Sequence, residues 1–279
     1  MHTSPASGDA ILLIGAGRMG NALLRGWLAQ GVPAVSVTVI DPHPSEELER
    51  LAADTGFRLN PAETGPADVV VVAVKPQLAV AAAQDLQARL GGHTLVVSIM
   101  AGKTLADLRR LFPTAGAFVR AMPNLAAAVG RGATVVFPDP SCPVERAEQA
   151  ARLLTAVGGV EWLATEALMD AATAVSGSGP AYVFYLVECL TRAGIEVGLP
   201  PQTAERLARA TIEGAGELLR QTGLPAAELR GNVTSPGGTT QAGLSVLMSG
   251  ARMEALVSAT VAAAAARARD LGGLAATSS

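Results

Sequence analysis

The chain alternates short, uninterrupted apolar runs with longer stretches in which apolar positions recur every three or four residues. Residues 11–14 are continuously apolar and read as a buried strand. Residues 19–29 follow with helical periodicity, ended by Gly31. A β-branched run covers 35–40, and a helix is predicted over 44–53, rich in glutamate near its start, where the helix dipole favours negative charge. Residues 69–74 and 95–99 form further apolar strands, with a helix over 77–90 between them. Residues 117–121 and 134–137 read as strands, and 144–157 as a helix. Such alternation predicts a parallel sheet covered on both faces.

From about Thr165 the strand pattern disappears. Long alanine-, leucine- and glutamate-containing stretches continue to the end, broken at 198–201, 223–225 and 231–238. The chain is therefore expected to consist of an α/β domain over 1–164 and an all-α domain over 165–279, with no low-complexity linker and no internal repeat. A length of 279 residues is comfortable for two domains.

Composition changes this picture by exclusion. Hydrophobic residues make up 49% and aromatics only 3%, so the core is expected to be aliphatic and small. A net charge of −3 argues against a nucleic-acid partner, which calls for concentrated basic surface and stacking platforms. Mean hydropathy is +0.35, yet no uninterrupted apolar run approaches the roughly 18 residues of a membrane span. Residues 1–9 lack the basic start and apolar core of a signal peptide. Two cysteines, Cys142 and Cys189, in unlike settings suggest neither a disulfide framework nor a metal site. A cytoplasmic protein without membrane contact is expected.

The sequence Gly15-Ala16-Gly17-Arg18-Met19-Gly20 is a GxGxxG placed after the first strand and opening the first helix. In a dinucleotide-binding loop Gly15 would permit the tight turn, Gly17 the approach of a pyrophosphate and Gly20 close helix–strand packing. The helix N-terminus offers unpaired N–H groups to phosphate, and Arg18 and Met19 lie within the loop. Asp41 ends the second strand, where an acid would bind the adenosine ribose hydroxyls; the other reading is that it caps the following helix. No arginine follows at once to receive a 2′-phosphate, so the coenzyme is NADPH or NADH, with a mild lean to the latter.

Ligands of doubly wound sheets bind beyond the carboxyl ends of strands. The segments 73–77, 98–102 and 120–124 fall there. Lys75 is a candidate for the coenzyme's phosphate or ribose region, with Pro76 stiffening the exit, and the Asn124 amide for the nicotinamide pocket; alternatively both are solvated turn residues. In the second half, Ser176-Gly177-Ser178-Gly179-Pro180 precedes an apolar helix, and the hydroxyl-rich stretch 232–241 leads into another. Such a loop at a helix N-terminus suits a carboxylate, the plainer reading being a capped interhelical loop.

Together these segments resemble the pyrroline-5-carboxylate reductases, which act in the last step of proline synthesis. The likeness runs from Ile11 to roughly Ala268 and is most specific over Asn232 to Thr240, with Gly243-Leu244 beyond; Val74-Lys75-Pro76, Met122-Pro123-Asn124 and the 176–180 segment match in order. The resemblance implies a Rossmann-like doubly wound N-terminal domain followed by an all-α C-terminal dimerisation domain. It also implies a homodimer with active sites built from both subunits, assembling into a larger homo-oligomer. By that match Gly15, Gly17, Arg18, Met19, Gly20, Asp41, Val74, Lys75, Pro76, Met122 and Asn124 would hold the coenzyme. Ser178, Ser235, Gly237, Gly238 and Thr239 would hold the substrate, and Thr240 would hydrogen-bond its ring nitrogen as the catalytic group. The chain departs from the family pattern at Asp41, where many members carry small polar or basic groups, and over 221–230.

The implied reaction is hydride transfer to the imine carbon of 1-pyrroline-5-carboxylate. A protonated cyclic imine is already electrophilic, which agrees with the placement of His2, His43 and His93 outside every candidate loop. A β-hydroxyacid-dehydrogenase-like enzyme would need a lysine one helical turn after the second glycine segment, where Val183 stands. A non-catalytic dinucleotide sensor would have no use for the 235–240 loop.

Overall fold

A computed structural model describes residues 8–276, with side chains through 272; His2 and most of the 1–9 stretch lie outside the described residues. Ile11–Ile14 forms the first strand, β1, and is buried throughout. Its side chains alternate between two cores: Ile11 and Leu13 enter one, Leu12 and Ile14 the other. It lies parallel to β2 (Val37–Ile40) and β4 (Val69–Val72), with Ile11 opposite Val37 on one side and Val69 on the other. The strands β3 (Arg58–Leu59), β5 (Leu95–Ser98), β6 (Ala117–Met122), β7 (Gly132–Pro138) and β8 (Gly158–Trp162) complete one sheet in the order β3-β2-β1-β4-β5-β6-β7-β8.

One face is covered by α1 (Arg18–Ala29) and α5 (Val144–Thr155), which contribute Leu23, Leu24, Trp27, Leu153 and Leu154 to the first core. Trp27 is 1% exposed and its indole N–H donates to Leu153 O at 2.8 Å. Burial of a side chain of this kind stabilises by about 1.5–3 kcal/mol. The other face is covered by α3 (Ala79–Leu86) and α4 (Leu105–Leu111). On the way, α2 (Glu46–Thr55) is capped by the Ser45 hydroxyl, which accepts from Leu48 N at 3.2 Å, and carries Glu46, Glu47 and Glu49 in its first turn.

The parallel sheet expected from sequence needs one correction: β6 and β7 are antiparallel, Val119 opposite Pro138 and Met122 opposite Val135. Only residues 123–131 separate them, including the 3-10 turn Leu125–Val129. A parallel return takes a crossover of about a dozen residues or more, so the chain turns back on itself. β3, β8 and α4 were not expected. The helix expected over 77–90 is three pieces, with 3-10 turns at Pro76–Leu78 and Gln87–Arg89 flanking α3. The strand expected from residue 35 begins at Val37, after a 3-10 turn at Ala34–Ser36.

Beyond β8 every described element is helical. α6 (Met169–Ala172) runs into a π-helical turn, Thr173–Gly177. There follow α7 (Gly179–Glu196), α8 (Pro201–Thr222), α9 (Ala226–Asn232), α10 (Thr239–Met248) and α11 (Arg252–Ala276). By compactness the chain forms two units, Met1–Gly177 with Ala264–Ser279, and Ser178–Ala263.

In the second unit α7 and α8 pair through small residues. A Cβ on Gly194 would lie 3.2 Å from Ala204 Cβ, and Ala204 and Ala208 are buried. Much larger apolar groups are left outside: Phe184 is 57% exposed, Tyr185 60%, Val246 68% and Leu256 69%. The stretch Thr239–Gly272 is long and apolar enough by composition to cross a membrane, although polar residues interrupt its apolar runs. Its alanines raise the average, and its backbone is broken at Gly250 and Ala251, both with positive φ.

Candidate active site

The glycine loop is shaped by two contacts that exclude a side chain. Gly15 has φ +86°, and a Cβ there would lie 2.9 Å from both Ala73 O and Val74 Cγ1. A Cβ on Gly20 would lie 2.1 Å from Gly15 O, so the first turn of α1 rests directly on the loop backbone. Gly17 differs: it is the N-cap of α1, and a Cβ there would meet nothing within 4 Å. Its absence keeps the approach to the helix N-terminus open, where the first-turn N–H groups have no intrahelical partner. The loop therefore has the shape that a pyrophosphate requires, and its residues fit a dinucleotide.

Asp41, at the end of β2, is bound to this loop. Its Oδ2 accepts from Ala16 N at 2.7 Å and its Oδ1 from His43 N at 2.9 Å. Asn60, in a left-handed conformation at φ +46°, fixes the backbone of the same residue. Asn60 Oδ1 accepts from Asp41 N at 2.9 Å, and Asn60 Nδ2 donates to Asp41 O at 2.7 Å. Because α2 is capped by Ser45, Asp41 is not the cap of that helix. Arg18 and Lys75 are exposed; Lys75 precedes a 3-10 turn that begins at Pro76.

A cavity of about 560 Å³ opens in the first unit beyond the carboxyl ends of β5 and β6. Its wall includes Pro76, Met100, Gly102, Arg120, Met122 and Thr173. Pro76 and Met122, both expected at the site, thus share one wall. Asn124 serves another purpose than a ring contact. Its Nδ2 donates to Ser176 O at 3.0 Å and its Oδ1 accepts from Ala133 N at 3.1 Å. The amide ties the turn after β6 to the π-helical segment, whose wide register frees backbone carbonyls from the α-helical pattern. Met122 Cε also lies against that segment, 3.3 Å from where a Gly177 Cβ would be.

In the second unit, the 235–240 residues form a tight turn onto α10. Gly238 N donates to Ser235 O at 3.0 Å, Gly237 has φ +72° and its N–H donates to Gln241 Oε1 at 2.5 Å. Gly238 is the N-cap, so Thr239 and Thr240 occupy the first two helical positions with their backbone N–H groups at the positive end of the dipole. Ser235, Thr239 and Thr240 are exposed. Ser178 caps α7, its carbonyl accepting from Ala181 N at 3.0 Å.

One residue of the cavity wall, Arg120, and its partner Glu166 were not singled out from sequence. Arg120 lies in β6 with its side chain 9% exposed, and its Nη1 donates to Glu166 Oε1 at 2.6 Å. The one available signal was a charged residue inside an apolar strand; its partner is 46 positions away.

Comparison with known proteins gives a consistent result. A family model described as pyrroline-5-carboxylate reductase dimerisation matches residues 166–271, and one described as NADP oxidoreductase, coenzyme F420-dependent, matches 10–102. The pyrroline-5-carboxylate reductase of Pseudomonas aeruginosa is 40% identical over 264 residues, covering 94% of this chain and 96% of its own. That of Arabidopsis thaliana is 37% identical, over 96% of this chain and 97% of its own. The solved Coxiella burnetii pyrroline-5-carboxylate reductase superposes with a TM-score of 0.87 at 33% identity, covering 94% of this chain and 98% of that one. A Plasmodium falciparum pyrroline carboxylate reductase with NADP bound superposes at 0.76 with 26% identity, covering 95% and 99%. A Rossmann-like sheet with a pyrophosphate-shaped glycine loop, a helical second unit and near-complete coverage at these identities lead to one conclusion: the chain belongs to the pyrroline-5-carboxylate reductase family.

Proposed function

We propose that this protein reduces 1-pyrroline-5-carboxylate to L-proline by hydride transfer from NADPH or NADH. The reading is carried by the glycine loop, in which Gly15 and Gly20 are sterically obligatory while Gly17 leaves the helix N-terminus open, in a chain 40% identical to a pyrroline-5-carboxylate reductase. The nicotinamide coenzyme, when bound, supplies the hydride.

The protein's own part is binding and orientation. Gly15, Gly17, Arg18, Met19 and Gly20 receive the pyrophosphate, with Val74, Lys75, Pro76 and Met122 along the carboxyl rim of the sheet. Ser235, Gly238 and Thr239 receive the substrate carboxylate through hydroxyl and backbone donors, Ser178 and Gly237 help to hold the substrate, and the Thr240 hydroxyl hydrogen-bonds the ring nitrogen. Asn124 acts by holding the Ser176 carbonyl in place. Because the protonated imine is electrophilic already, positioning supplies most of the rate; such positioning is worth about 7–11 kcal/mol in favourable cases.

Asp41 favours NADH. A carboxylate at the end of β2 accepts ribose hydroxyls and repels a 2′-phosphate, and Ala16 N and His43 N hold it in place.

The helices of the second unit form a homodimer interface, in a cytoplasmic protein that assembles further into a larger homo-oligomer. Apolar groups as large as Phe184, Tyr185, Val246 and Leu256 stand more than half exposed in the single chain. A second copy covering them accounts for the apolar character of Thr239–Gly272 without a membrane.

Steady-state kinetics with pyrroline-5-carboxylate against both reduced coenzymes tests the activity. Coenzyme consumption that depends on the imine supports it; coenzyme binding without consumption overturns it in favour of a sensor. Light scattering tests the assembly, and a monomer would overturn the interface.

A further inference from the structure

Arg120 is a buried cation that none of the roles above employs. It stands on the β6 face shared by Phe118, level with the carboxyl rim, and contributes to the wall of the 560 Å³ cavity. A guanidinium carries five N–H donors. One interaction is accounted for, Nη1 to Glu166 Oε1 at 2.6 Å; the remaining donors have no protein acceptor among the described residues. The side chain is 9% exposed and belongs to the cavity wall, so these donors keep a narrow contact with solvent. A ligand that takes the place of solvent at such a guanidinium gains charge-assisted hydrogen bonds.

The charge of the surroundings narrows the ligand. Glu166 neutralises Arg120, and its Oε1 also accepts from Leu105 N at 2.8 Å, fixing the carboxylate to the start of α4. The same wall carries one further cation, Lys103, and one further carboxylate, Asp170. A balanced wall gives little reason to bind an anion, but an oriented N–H fork in an apolar setting suits a neutral carbonyl oxygen. It also spares the cavity a net positive charge, which would oppose a cationic ring.

We infer that Arg120, positioned by Glu166, donates to the carboxamide carbonyl of the coenzyme's nicotinamide and so sets the orientation of the ring. This rests on the dinucleotide reading of the glycine loop. Glu166 is a positioning residue: it aims the guanidinium and keeps the local charge at zero, so that the ring can become cationic after hydride loss.

The test compares coenzyme with ADP-ribose, which has everything but the nicotinamide, carrying a 2′-phosphate where the coenzyme does. Arg120→Lys keeps a cation for Glu166 but loses the planar fork. Calorimetry is expected to show the reduced coenzyme bound about tenfold or more weakly, as for loss of a charged hydrogen bond, with ADP-ribose unchanged. Equal changes for both ligands, or none for either, would overturn the assignment. Glu166→Gln keeps an acceptor for Leu105 N and removes the charge. It is expected to weaken oxidised coenzyme more than reduced, and an unchanged ratio of the two affinities overturns the positioning role even if the Arg120 variant does not fold. Failure of the unaltered protein to bind either coenzyme or ADP-ribose would instead sink the dinucleotide reading.

Discussion

Asp41 and Ala16 join the end of the second strand to the glycine loop through one 2.7 Å hydrogen bond from backbone N–H to carboxylate. The residue expected to select the coenzyme is therefore also a brace for the loop that holds it. Asp41→Ser is expected to move the NADPH/NADH ratio of kcat/KM about tenfold toward NADPH, equivalent to about 1.4 kcal/mol. It should also raise KM for both coenzymes, because the brace is lost. A raised KM with an unaltered ratio would leave Asp41 as a brace alone.

Gly17 and Gly20 should part when each is replaced by alanine. At Gly20 the new methyl meets the backbone oxygen of Gly15 at 2.1 Å, and thermal unfolding is expected to show a loss of at least about 1–3 kcal/mol. At Gly17 it meets nothing, so the melting temperature should hold while coenzyme affinity falls. Equal stability losses would show that Gly17 is under a structural constraint too.

Thr240→Ala removes a hydroxyl at the start of α10. Turnover is expected to drop with the coenzyme dissociation constant unchanged. Kinetics identical to the parent would exclude Thr240 from the site.

Asn124→Asp retains the acceptor for Ala133 N but sets a carboxylate oxygen against the Ser176 carbonyl. Destabilisation of about 1 kcal/mol is expected, as for the loss of one hydrogen bond between half-buried groups. Asn124→Ser, which can still donate, should recover part of it. If the aspartate variant melts like the parent, the tie to the π-helical turn contributes nothing.

The Asp107 carboxyl sits below its ordinary 3.8. Burial works to raise it, but hydrogen bonds from Thr104 N and the Thr104 hydroxyl, with the charges of Arg110 and Lys103, outweigh that. A depressed folded pKa adds stability above the unfolded value that is lost as pH falls through the folded one. The stability gap between the protein and Asp107→Asn should therefore be open near neutral pH and narrow as pH falls below the ordinary carboxyl range. A gap independent of pH would mean that the capping box works equally well uncharged.

How much of this was legible beforehand followed from sequence distance. The strand–loop–helix at 11–29 could be read because Gly15, Gly17 and Gly20 act within six residues. The family likeness was carried by the equally local 232–240 stretch. The reversal at β7 could not be read, since Thr134 to Phe137 is an apolar strand in either direction and only the shortness of the preceding turn decides it. β8 begins at Gly158-Gly159, with no alternation to mark it. The Arg120–Glu166 pair spans 46 positions, and only the fold brings its members together. Asn124 was singled out as a site residue, but the contacts it makes to Ser176 and Ala133 depend on a π-helical turn that has no local sequence signature.

The open space at Gly17 has a consequence for cells that carry two versions of the gene. A chain with a side chain there should fold, escape proteolysis and present unaltered helices for pairing, while lacking coenzyme. It would be recruited alongside working chains and dilute their output in every mixed assembly. A chain altered at Gly20 should be cleared before it can pair, leaving the working copies undisturbed. Two glycines three residues apart would thus give opposite patterns of inheritance, one dominant and one recessive.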